Sequence, residues 1–338
     1  MPWHLRGSAV ADLRAGVIGL GVMGRNHARI LSSLPGVVLG GIVDPLEIEG
    51  EHHGQLMRST EELLAQGVDY CFVAVPTVLH EEVGLLLASS GVHALVEKPL
   101  TVDVASATSV TEAFEAASLV GAVGHIERYN PALQEARKRI EADELGQIYQ
   151  VVTRRQGPFP ARIADVGVVK DLATHDIDLT SWIAQQPYIS VAARTAHRTG
   201  REHEDLVTVV GELANGLVTG HTVNWLSPFK ERRTVISGER GALVADTLTA
   251  DLTFYANGSV ESEWEDMALF RGVSEGDVVR FAIPKPEPLR SEHEAFRDAV
   301  LGMDSDIVTM REGLATVAVA EAVLESAATG QTIALPTP

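Results

Sequence analysis

Short apolar runs alternate with amphipathic stretches through the first third of the chain. Strands are predicted at Ala15–Ile18, Val37–Val43, Tyr70–Val75, Ala94–Val96 and about Ser118–Val123. Helices fit between them, for example at Gly24–Ser33 and His80–Ser90. This alternation is typical of βαβ units, whose strands form a parallel sheet. The pattern therefore predicts an α/β domain over residues 1–124.

Beyond Gly124 the pattern changes to longer alternating segments, separated by turn signals such as Asn215-Gly216 and Asn257-Gly258. Strands are predicted at Tyr149–Gln156, Leu206–Leu213, Leu217–Trp225, Arg233–Ser237 and Leu252–Tyr255. Helices are predicted at about Pro131–Glu141, Lys170–Ile183, Ser291–Leu301 and Arg311–Ala328. Residues 125–338 are therefore expected to form an α+β domain with an open, largely antiparallel sheet.

The charge balance limits the expected partners. The chain has 27 basic and 46 acidic residues, a formal net charge of −19. Nucleic-acid backbones and anionic membranes repel such a surface, so neither is expected as the main partner. No stretch approaches the roughly 20 apolar residues that span a bilayer. A small molecule is the expected partner.

The cysteine content indicates a compartment. Cys71 is the only cysteine and lies in a predicted buried strand, so no internal disulfide can form. A reducing environment fits this composition. The first fifteen residues contain Arg6, Asp12 and Arg14 and no sustained apolar run, so no signal peptide is expected. We therefore expect a cytoplasmic protein.

The first predicted strand runs directly into a GxGxxG motif, Gly19-Leu20-Gly21-Val22-Met23-Gly24. Gly19 permits a tight turn, Gly21 lets the backbone approach a pyrophosphate, and Gly24 lets the following helix pack closely. The N-terminus of that helix, with Val22 and Met23, offers N–H groups to phosphates. The motif in this setting predicts a Rossmann dinucleotide site.

Asp44 ends the second predicted strand, about twenty residues after Gly24. A carboxylate at this place accepts hydrogen bonds from the adenosine ribose hydroxyls and repels a 2′-phosphate. Pro45 and Leu46 follow it and supply no arginine for such a phosphate. The predicted cofactor is therefore NAD and not NADP.

Two more motifs stand at predicted strand ends, where open α/β sheets bind ligands. The run Val75-Pro76-Thr77-Val78-Leu79-His80 follows the third strand, and Pro76, Thr77 and His80 are expected on the nicotinamide side. The run Glu97-Lys98-Pro99 follows the fourth strand. An ammonium at Lys98 would stabilise a developing alkoxide, although a lysine alone can also be a surface residue.

Asp171 and His175 stand four residues apart in the predicted helix Lys170–Ile183, opposite an apolar stripe. Both side chains therefore point from one face of that helix. Oxidation of a secondary alcohol removes a hydride and a hydroxyl proton, and an imidazole with a near-neutral pKa suits the proton transfer. Taken alone, the pair would more often be a solvent-facing ion pair, but the EKP segment favours the catalytic interpretation.

The ordered set GxGxxG, VPTxxxH, EKP and DxxxHD resembles the glucose–fructose oxidoreductase, inositol dehydrogenase and MocA family over about residues 15–330. The resemblance implies a Rossmann domain joined to a sheet domain, with the substrate between that sheet and the nicotinamide. It implies that Lys98 is the EKP lysine, His175 the proton-transfer histidine and Asp171 the preceding acid. Glu97 and His125 are expected beside the cofactor.

Segments 124–132, 157–160, 165–169 and 224–228 resemble the branch that includes UDP-N-acetylglucosamine 3-dehydrogenases, which make a 3-keto sugar for a pyridoxal-phosphate aminotransferase. This implies oxidation of a ring hydroxyl, at carbon 3, of a hexose or hexosamine. Tyr129, Asn130 and Lys170 are expected substrate contacts. Four arginines are candidates for a basic rim around a nucleotide diphosphate, the alternative being a solvated loop: Arg128, Arg154, Arg155 and Arg162.

Two other possibilities remain open from the sequence. Lys170 stands where that branch is expected to have an apolar residue, which keeps open an amino-sugar dehydrogenase of an aminoglycoside-type antibiotic pathway. The acidic composition suits such a polycation. A non-catalytic dinucleotide-binding regulator is the alternative of another class, although such a protein can lose Lys98 or His175, and both are present.

Two further expectations concern assembly and metals. A sheet with helices on one face leaves its other face to be covered, so a homo-oligomer, a dimer or tetramer, is expected. The sequence has no HExxH motif and no cysteine pair, so no metal is expected.

Overall fold

The structure, a computed structural model, describes residues 12–46, 53–160, 166–258 and 275–336. The chain divides into two compact units. One consists of Met1–Gly124 with Leu289–Arg311, and the other of His125–Pro288 with Glu312–Pro338. A single continuous domain over 125–338 was expected. The expectation differs from this division because residues 289–311 return to the first unit.

The first unit is built on a six-stranded parallel sheet with strand order β3-β2-β1-β4-β5-β6. Its strands are β1 Leu13–Ile18, β2 Val37–Val43, β3 Leu56–Met57, β4 Tyr70–Val73, β5 His93–Glu97 and β6 Gly121–Gly124. Its first four helices are α1 Val22–Leu31, α2 Thr60–Leu64, α3 His80–Ser89 and α4 Val104–Ala116. The predicted parallel α/β architecture is confirmed.

Helix α7, Pro288–Val300, explains the return of the chain to the first unit. Its buried residues include His293 and Phe296. The Phe296 ring packs edge-on against Tyr70 and Phe72 of β4, with ring centroids 5.6 Å apart in both pairs. Aromatic pairs at such distances add to the free energy of burial, so α7 completes the core of this unit.

The second unit is built on a nine-stranded sheet with strand order β14-β13-β12-β11-β7-β10-β9-β8-β15. The pair β7–β10 is parallel, and the other neighbouring strands are antiparallel. The strands are β7 Ile148–Pro158, β8 Tyr188–Ala196, β9 Leu206–Leu213, β10 Val218–Asn224, β11 Leu226–Gly238, β12 Gly241–Asp246, β13 Asp251–Asn257, β14 Glu275–Arg280 and β15 Ile333–Ala334. The prediction of an open, largely antiparallel sheet is confirmed, although it omitted β8, β12, β14 and β15.

Three helices cover one face of this sheet: α5 Pro131–Glu141, α6 Thr174–Ala184 and α8 Met310–Thr329. Buried residues of all three share one apolar core with the sheet. Helix α6 is preceded by a π-helical turn, Val169–Ala173, so the expected continuous helix over Lys170–Ile183 is interrupted at its start. Such turns are frequent at functional sites.

Candidate active site

The glycines of the GxGxxG turn meet three different demands. Gly19 has a φ of +93°, a conformation that favours glycine. A Cβ on Gly24 would lie 1.8 Å from the Gly19 carbonyl oxygen, so close packing of α1 requires glycine there. A Cβ on exposed Gly21 would meet no protein atom within 4 Å. The backbone at Gly21 is therefore open to the approach of a ligand.

The N-terminus of α1 is suited to an anion. Its N-cap, Gly21, offers no side-chain hydrogen bond, and its first turn has no acidic residue. Val22 in that turn is 62% exposed. The first N–H groups of the helix therefore keep their capacity to bind a phosphate. Met23, half-buried, belongs to the same turn.

Asp44 follows β2 directly and is held beside this turn. Its Oδ2 accepts the N–H of Leu20 at 2.8 Å, and its Oδ1 accepts the N–H of Leu46 at 2.9 Å. Backbone hydrogen bonds thus fix the carboxylate, and each oxygen retains a lone pair for a ribose hydroxyl. The open glycine turn, the uncapped helix and this carboxylate fit NAD.

His80 is placed differently from the expected cofactor contact. Its ring is buried, with Nε2 3.0 Å from the Val75 carbonyl oxygen and Nδ1 3.0 Å from that of Pro99. Burial lowers the pKa of His80, against the effect of these carbonyls. The ring therefore ties the turn after β4 to the turn after β5. Exposed Pro76 and half-buried Thr77 remain accessible on the first of these turns.

The EKP segment ends β5 with one side chain turned inward. Glu97 is buried, its Oε1 is 3.0 Å from His27 Nε2, and its Oε2 accepts the N–H of Lys98 at 3.2 Å. Burial raises the pKa of Glu97, but His27 and Lys98 lower it to a net value below its usual range. Glu97 therefore anchors this turn as an anion. Lys98 is half-buried, and its peptide bond to Pro99 is cis.

Asp171 and His175 lie in the second unit. Asp171 is buried in the π-helical turn, and His175 is half-buried in the first turn of α6. His125 was expected beside the nicotinamide. The structure places its buried ring edge-on to His175, with ring centroids 6.5 Å apart, and its Nδ1 3.8 Å from Asp178 Oδ2. The second unit thus brings two histidine rings together, one of them near the Asp178 carboxylate, and Asp171 precedes His175 by four residues.

The expected basic rim is wrong for two of its arginines. Arg155 is buried, with Nε 2.9 Å from Asp176 Oδ2 and Nη1 2.9 Å from Glu127 Oε1. Burial lowers the pKa of Arg155, but these two carboxylates raise it above its usual value. The strand pattern gave no sign of this, because Arg155 faces helix α6 where an apolar residue is usual. Its guanidinium is used inside the protein.

Arg128 is the second such arginine. Its Nε and Nη2 donate to the two carboxylate oxygens of Asp178 at 2.8 and 2.6 Å, and its Nη1 donates to Glu312 at 2.7 Å. The pair is bidentate, the strong form of this interaction. Arg128 is only 5% exposed. Both arginines therefore hold carboxylates of α6 and form no rim.

The other expected substrate contacts also include both buried residues and accessible ones. Asn130 caps α5, accepting the N–H of Ala132, and donates to the Thr247 carbonyl at 2.9 Å, so its role is structural. Tyr129 is buried. Lys170 is half-buried in the π-helical turn, and Arg154 is exposed. Arg162 lies outside the described residues.

The sequence reasoning missed His27, Asp176 and Asp178. His27 stands on α1 three residues after Gly24, and the aspartates follow His175 closely, but nothing local distinguishes them from solvent-facing residues. Within the described ranges, no group of three or more His, Cys, Asp or Glu side chains is arranged to hold a metal. None of the helices in the described part of the chain is long and apolar enough to cross a membrane.

In known proteins, separate family models match the two parts of the chain on either side of about residue 125. A family model described as oxidoreductase family, NAD-binding Rossmann fold, matches residues 13–125. A model described as GFO/IDH/MocA C-terminal domain matches residues 133–244. UDP-N-acetylglucosamine 3-dehydrogenase of Acidithiobacillus ferrooxidans is 31% identical over 250 residues, covering 73% of this chain and 78% of that protein. Its solved structure has a TM-score of 0.81 at 26% identity, covering 93% and 97%.

Two further likenesses extend over nearly the whole chain. Inositol 2-dehydrogenase 2 of Saccharopolyspora erythraea is 25% identical over 335 residues, 95% of this chain and 94% of that protein. The structure of GenD2 from gentamicin A biosynthesis in complex with NAD has a TM-score of 0.79 at 24% identity and covers 97% of each chain. This last likeness is one of fold.

The chain therefore belongs to the GFO/IDH/MocA family, which confirms the resemblance found in the motifs. It is an NAD-dependent dehydrogenase that acts on a CH–OH group of a sugar or polyol. The expected cofactor is confirmed. An enzyme, and not a non-catalytic regulator, is therefore the class of protein that these relatives support.

Proposed function

We propose that the protein oxidises a secondary ring hydroxyl, at carbon 3, of a UDP-N-acetylglucosamine-like sugar to a ketone. The observation that supports this is the 31% identity, over 73% of the chain, to a UDP-N-acetylglucosamine 3-dehydrogenase. A ring ketone is the kind of product that a pyridoxal-phosphate aminotransferase converts to an amine. We therefore place such an enzyme after this one.

The proposed catalytic residues are Lys98, Asp171 and His175. NAD, held by the first unit, would supply the acceptor for the hydride that leaves the carbon bearing the hydroxyl group. His175 takes the hydroxyl proton, so that the C–H and O–H bonds break and a C=O bond forms. The Lys98 ammonium stabilises the negative charge that develops on oxygen. Asp171 orients His175 or binds a neighbouring substrate hydroxyl.

The residues proposed to hold NAD belong to the first unit. Gly19, Gly21 and Gly24 shape the turn, and Asp44 receives the adenosine ribose. Pro76 and Thr77 remain proposed contacts on the nicotinamide side. The buried side chains His80 and Glu97 support the turns and do not contact the cofactor in this proposal.

A second candidate is the oxidation of an amino-sugar ring in an aminoglycoside-type antibiotic pathway. The net charge of −19 suits a cationic substrate, and half-buried Lys170 next to Asp171 is the feature that separates this chain from the expected pattern. The likeness to GenD2, at 24% identity, supports the shared fold only.

The test is a substrate screen that follows NADH absorbance. The panel contains UDP-N-acetylglucosamine, unlinked N-acetylglucosamine, myo-inositol and aminoglycoside intermediates. We expect the highest kcat/KM with UDP-N-acetylglucosamine, and a 3-keto product by mass spectrometry after reduction with borodeuteride. Efficient oxidation of an aminoglycoside intermediate alone would replace this proposal by the second candidate.

We also propose a homo-oligomer that buries the sheet face opposite the helices. Val152 and Val210, which are 36% and 53% exposed, lie on this face. The strand register continues the row through Val235 and Val244. Light scattering at micromolar concentration should give a dimer or tetramer, and Val152→Glu should weaken it. A particle of 36 kDa, the mass of one chain, would refute the oligomer.

We propose a cytoplasmic location, because the chain has a single cysteine and therefore no internal disulfide. Cys71 is buried and free, and burial raises the pKa of its thiol to about 12. Such a thiol is inert, and a protein without disulfides suits a reducing compartment. Fractionation of cells that express the protein would test the location.

A further inference from the structure

Arg128 and Arg155 of the second unit are buried, and Arg232 of the same unit is half-buried. Arg128 directs Nε and Nη2 at Asp178. Arg155 directs Nε at Asp176 and Nη1 at Glu127. Each of these two guanidinium groups is therefore matched by carboxylates, as is usual for a buried cation.

Arg232 is the exception. It is half-buried on β11 and lies directly across from Arg155 of β7, on the sheet face that packs against the helices. Its Nη1 donates to the carbonyl oxygens of Gln156 at 2.7 Å and Glu231 at 2.9 Å. Within the residues that the structure describes, no acceptor is placed on its Nε or Nη2, and no carboxylate lies within 4.0 Å.

The edge of Arg232 that remains is the one that binds anions best. Nε and Nη2 form the planar fork that grips two oxygens at once, and Arg128 uses this same fork on Asp178. With Nη1 held by two carbonyls, the guanidinium of Arg232 is fixed before any ligand arrives. A preformed donor pair of this kind costs little side-chain entropy on binding.

The surroundings place Arg232 among the candidate catalytic groups. Burial lowers the pKa of Arg232, and the charge of Arg155 lowers it further, whereas Glu127, Asp176 and Asp171 raise it. In the sheet, Arg232 lies across from Arg155, whose guanidinium contacts Asp176, the residue after His175. Asp171 belongs to the turn that precedes His175. A ligand anion at Arg232 would therefore lie near the groups that act on the sugar.

We propose that Arg232 binds an anionic group of the substrate, a phosphate or a carboxylate, through its Nε and Nη2. This rests on the proposed oxidation of a sugar and specifies its class as an acidic sugar derivative. In a UDP-linked hexosamine the anion is the diphosphate, and in a sugar acid it is the carboxylate. The site gives no such help to a cationic amino sugar.

The test compares Arg232→Gln with Arg233→Gln. Arg233 is the neighbouring residue on β11, but it is exposed and faces the other side of the sheet, opposite Arg154. The KM of UDP-N-acetylglucosamine should rise about 10-fold or more in Arg232→Gln, because hydrogen bonds between charged groups are stronger than those between neutral groups. The KM of unlinked N-acetylglucosamine should change little, and Arg233→Gln should resemble the wild type in both assays.

A binding assay separates this inference from the proposed reaction. UDP, inorganic pyrophosphate and D-glucuronate are titrated into NAD-saturated protein by calorimetry. Weaker binding of UDP and pyrophosphate in Arg232→Gln identifies a phosphate site, and weaker binding of glucuronate alone identifies a carboxylate site. Both outcomes support an anion site even if no sugar is oxidised. Partial rescue by Arg232→Lys is expected, because it restores the charge without the fork.

Equal affinity of wild type and Arg232→Gln for all three anions overturns the proposal, provided that both melt at similar temperatures. If Arg232→Gln unfolds, Arg232→Lys serves in its place. Its KM ratio for UDP-linked over unlinked sugar must then exceed that of the wild type. An unchanged ratio refutes the assignment, whereas loss of activity with both sugars concerns the proposed reaction.

Discussion

Both units bury histidines and carboxylates behind their candidate functional residues, but only the second unit supplies arginines to pair with them. In the first unit, Glu97 contacts His27, and His27 Nδ1 is 2.8 Å from His293 Nε2. Glu292 precedes His293 in the sequence and is fully buried. Neither of its carboxyl oxygens has a hydrogen-bond partner among the described residues.

The pKa shifts follow from this difference. Burial and the charge of Glu97 raise the pKa of Glu292 well above its ordinary 4.5, which favours the protonated form of Glu292 in the folded protein. Burial and the neighbouring His27 lower the pKa of His293 well below its ordinary 6.5, which favours the neutral form of His293. The first unit therefore buries Glu292 and His293 in an environment that favours their neutral forms, beside the anionic Glu97.

The second unit instead pairs two of its buried carboxylates with arginines. Arg128 and Arg155 keep their charge at any ordinary pH, and their carboxylate partners Asp178 and Asp176 both belong to helix α6. Removing one member of such a pair leaves a buried charge without compensation. We therefore expect the stability of the first unit to depend on pH, and the stability of the second unit to depend on its buried arginines.

The largest effect is expected on turnover, when a proposed catalytic side chain of either unit is removed. Lys98→Ala and His175→Ala should each lower turnover by about 10²–10⁴, the range for loss of an electrostatic or acid–base group. NAD affinity, measured by fluorescence titration, should change little, because the glycine turn and Asp44 hold the cofactor. Asp171→Asn should be milder and appear partly as a raised KM. Near-normal turnover in both alanine variants would show that the active site lies elsewhere.

The second prediction concerns the buried ion pairs. Arg155→Met should lower the free energy of unfolding by about 3–5 kcal/mol, because Asp176 and Glu127 lose their counter-charge. The control is Arg154→Met, the exposed neighbour on the same strand, which should stay within about 0.5 kcal/mol of the wild type. Urea titrations give both values. Equal stability of the two variants would contradict the role assigned to Arg155.

The third prediction concerns the neutral groups of the first unit. Between pH 4.5 and its folded-state pKa, Glu292 binds a proton in the folded protein that the unfolded chain has lost. Stability therefore falls as pH rises through this range, by at most about 1.4 kcal/mol per pH unit. Glu292→Gln should remove this loss, so that its advantage in Tm over the wild type grows from pH 5 to pH 8.

The matched control for that measurement is Glu294→Gln, on the same helix but partly exposed and paired with Arg290. Its difference from the wild type should not grow with pH over this range. His293 acts in the opposite sense, because stability held by a neutral histidine falls as pH drops below 6.5. A Glu292→Gln advantage that is constant from pH 5 to pH 8 would mean that Glu292 is ionised in the folded protein.

Local patterns were sufficient for most of the fold and for the cofactor turn. The GxGxxG turn, the strands around it and Asp44 depend on neighbours in sequence, and the structure places them as the motif requires. The return of residues 289–311 depends on contacts of Phe296 with Tyr70 and Phe72. Those contacts link residues more than 200 positions apart, and no local pattern encodes them.

The arginines show the same limit at the candidate site. A charged residue in an alternating strand is normally placed at the surface, yet Arg155 and Arg232 share the helix-facing side of their strands. Their inward placement is possible because the same face receives Asp176 and Glu127 from other elements. The sequence singled out Arg155 as a candidate. It did not show whether Arg155 forms a structural ion pair inside the protein or contacts the substrate.

The smallest effect is expected at Asp44, the carboxylate that is held beside the glycine turn of the first unit. Asp44 is half-buried, and its carboxylate is held by backbone N–H groups and not by a cation. It should therefore remain free to repel the 2′-phosphate of NADP. Asp44→Ser should narrow the preference for NAD about tenfold, or roughly 1.4 kcal/mol. Part of this change would come from losing the bond to the Leu20 N–H.

Asp44→Asn separates those two causes, because the amide oxygen can still accept the Leu20 N–H while the charge is gone. If repulsion sets the preference, Asp44→Asn should bind NADP more tightly than the wild type does, with a small loss of NAD affinity. Asp12→Ser, an exposed carboxylate near the start of β1, is the control and should leave both affinities unchanged. Titration of both cofactors decides the matter: tighter binding of NADP than of NAD by the wild type would overturn the role of Asp44.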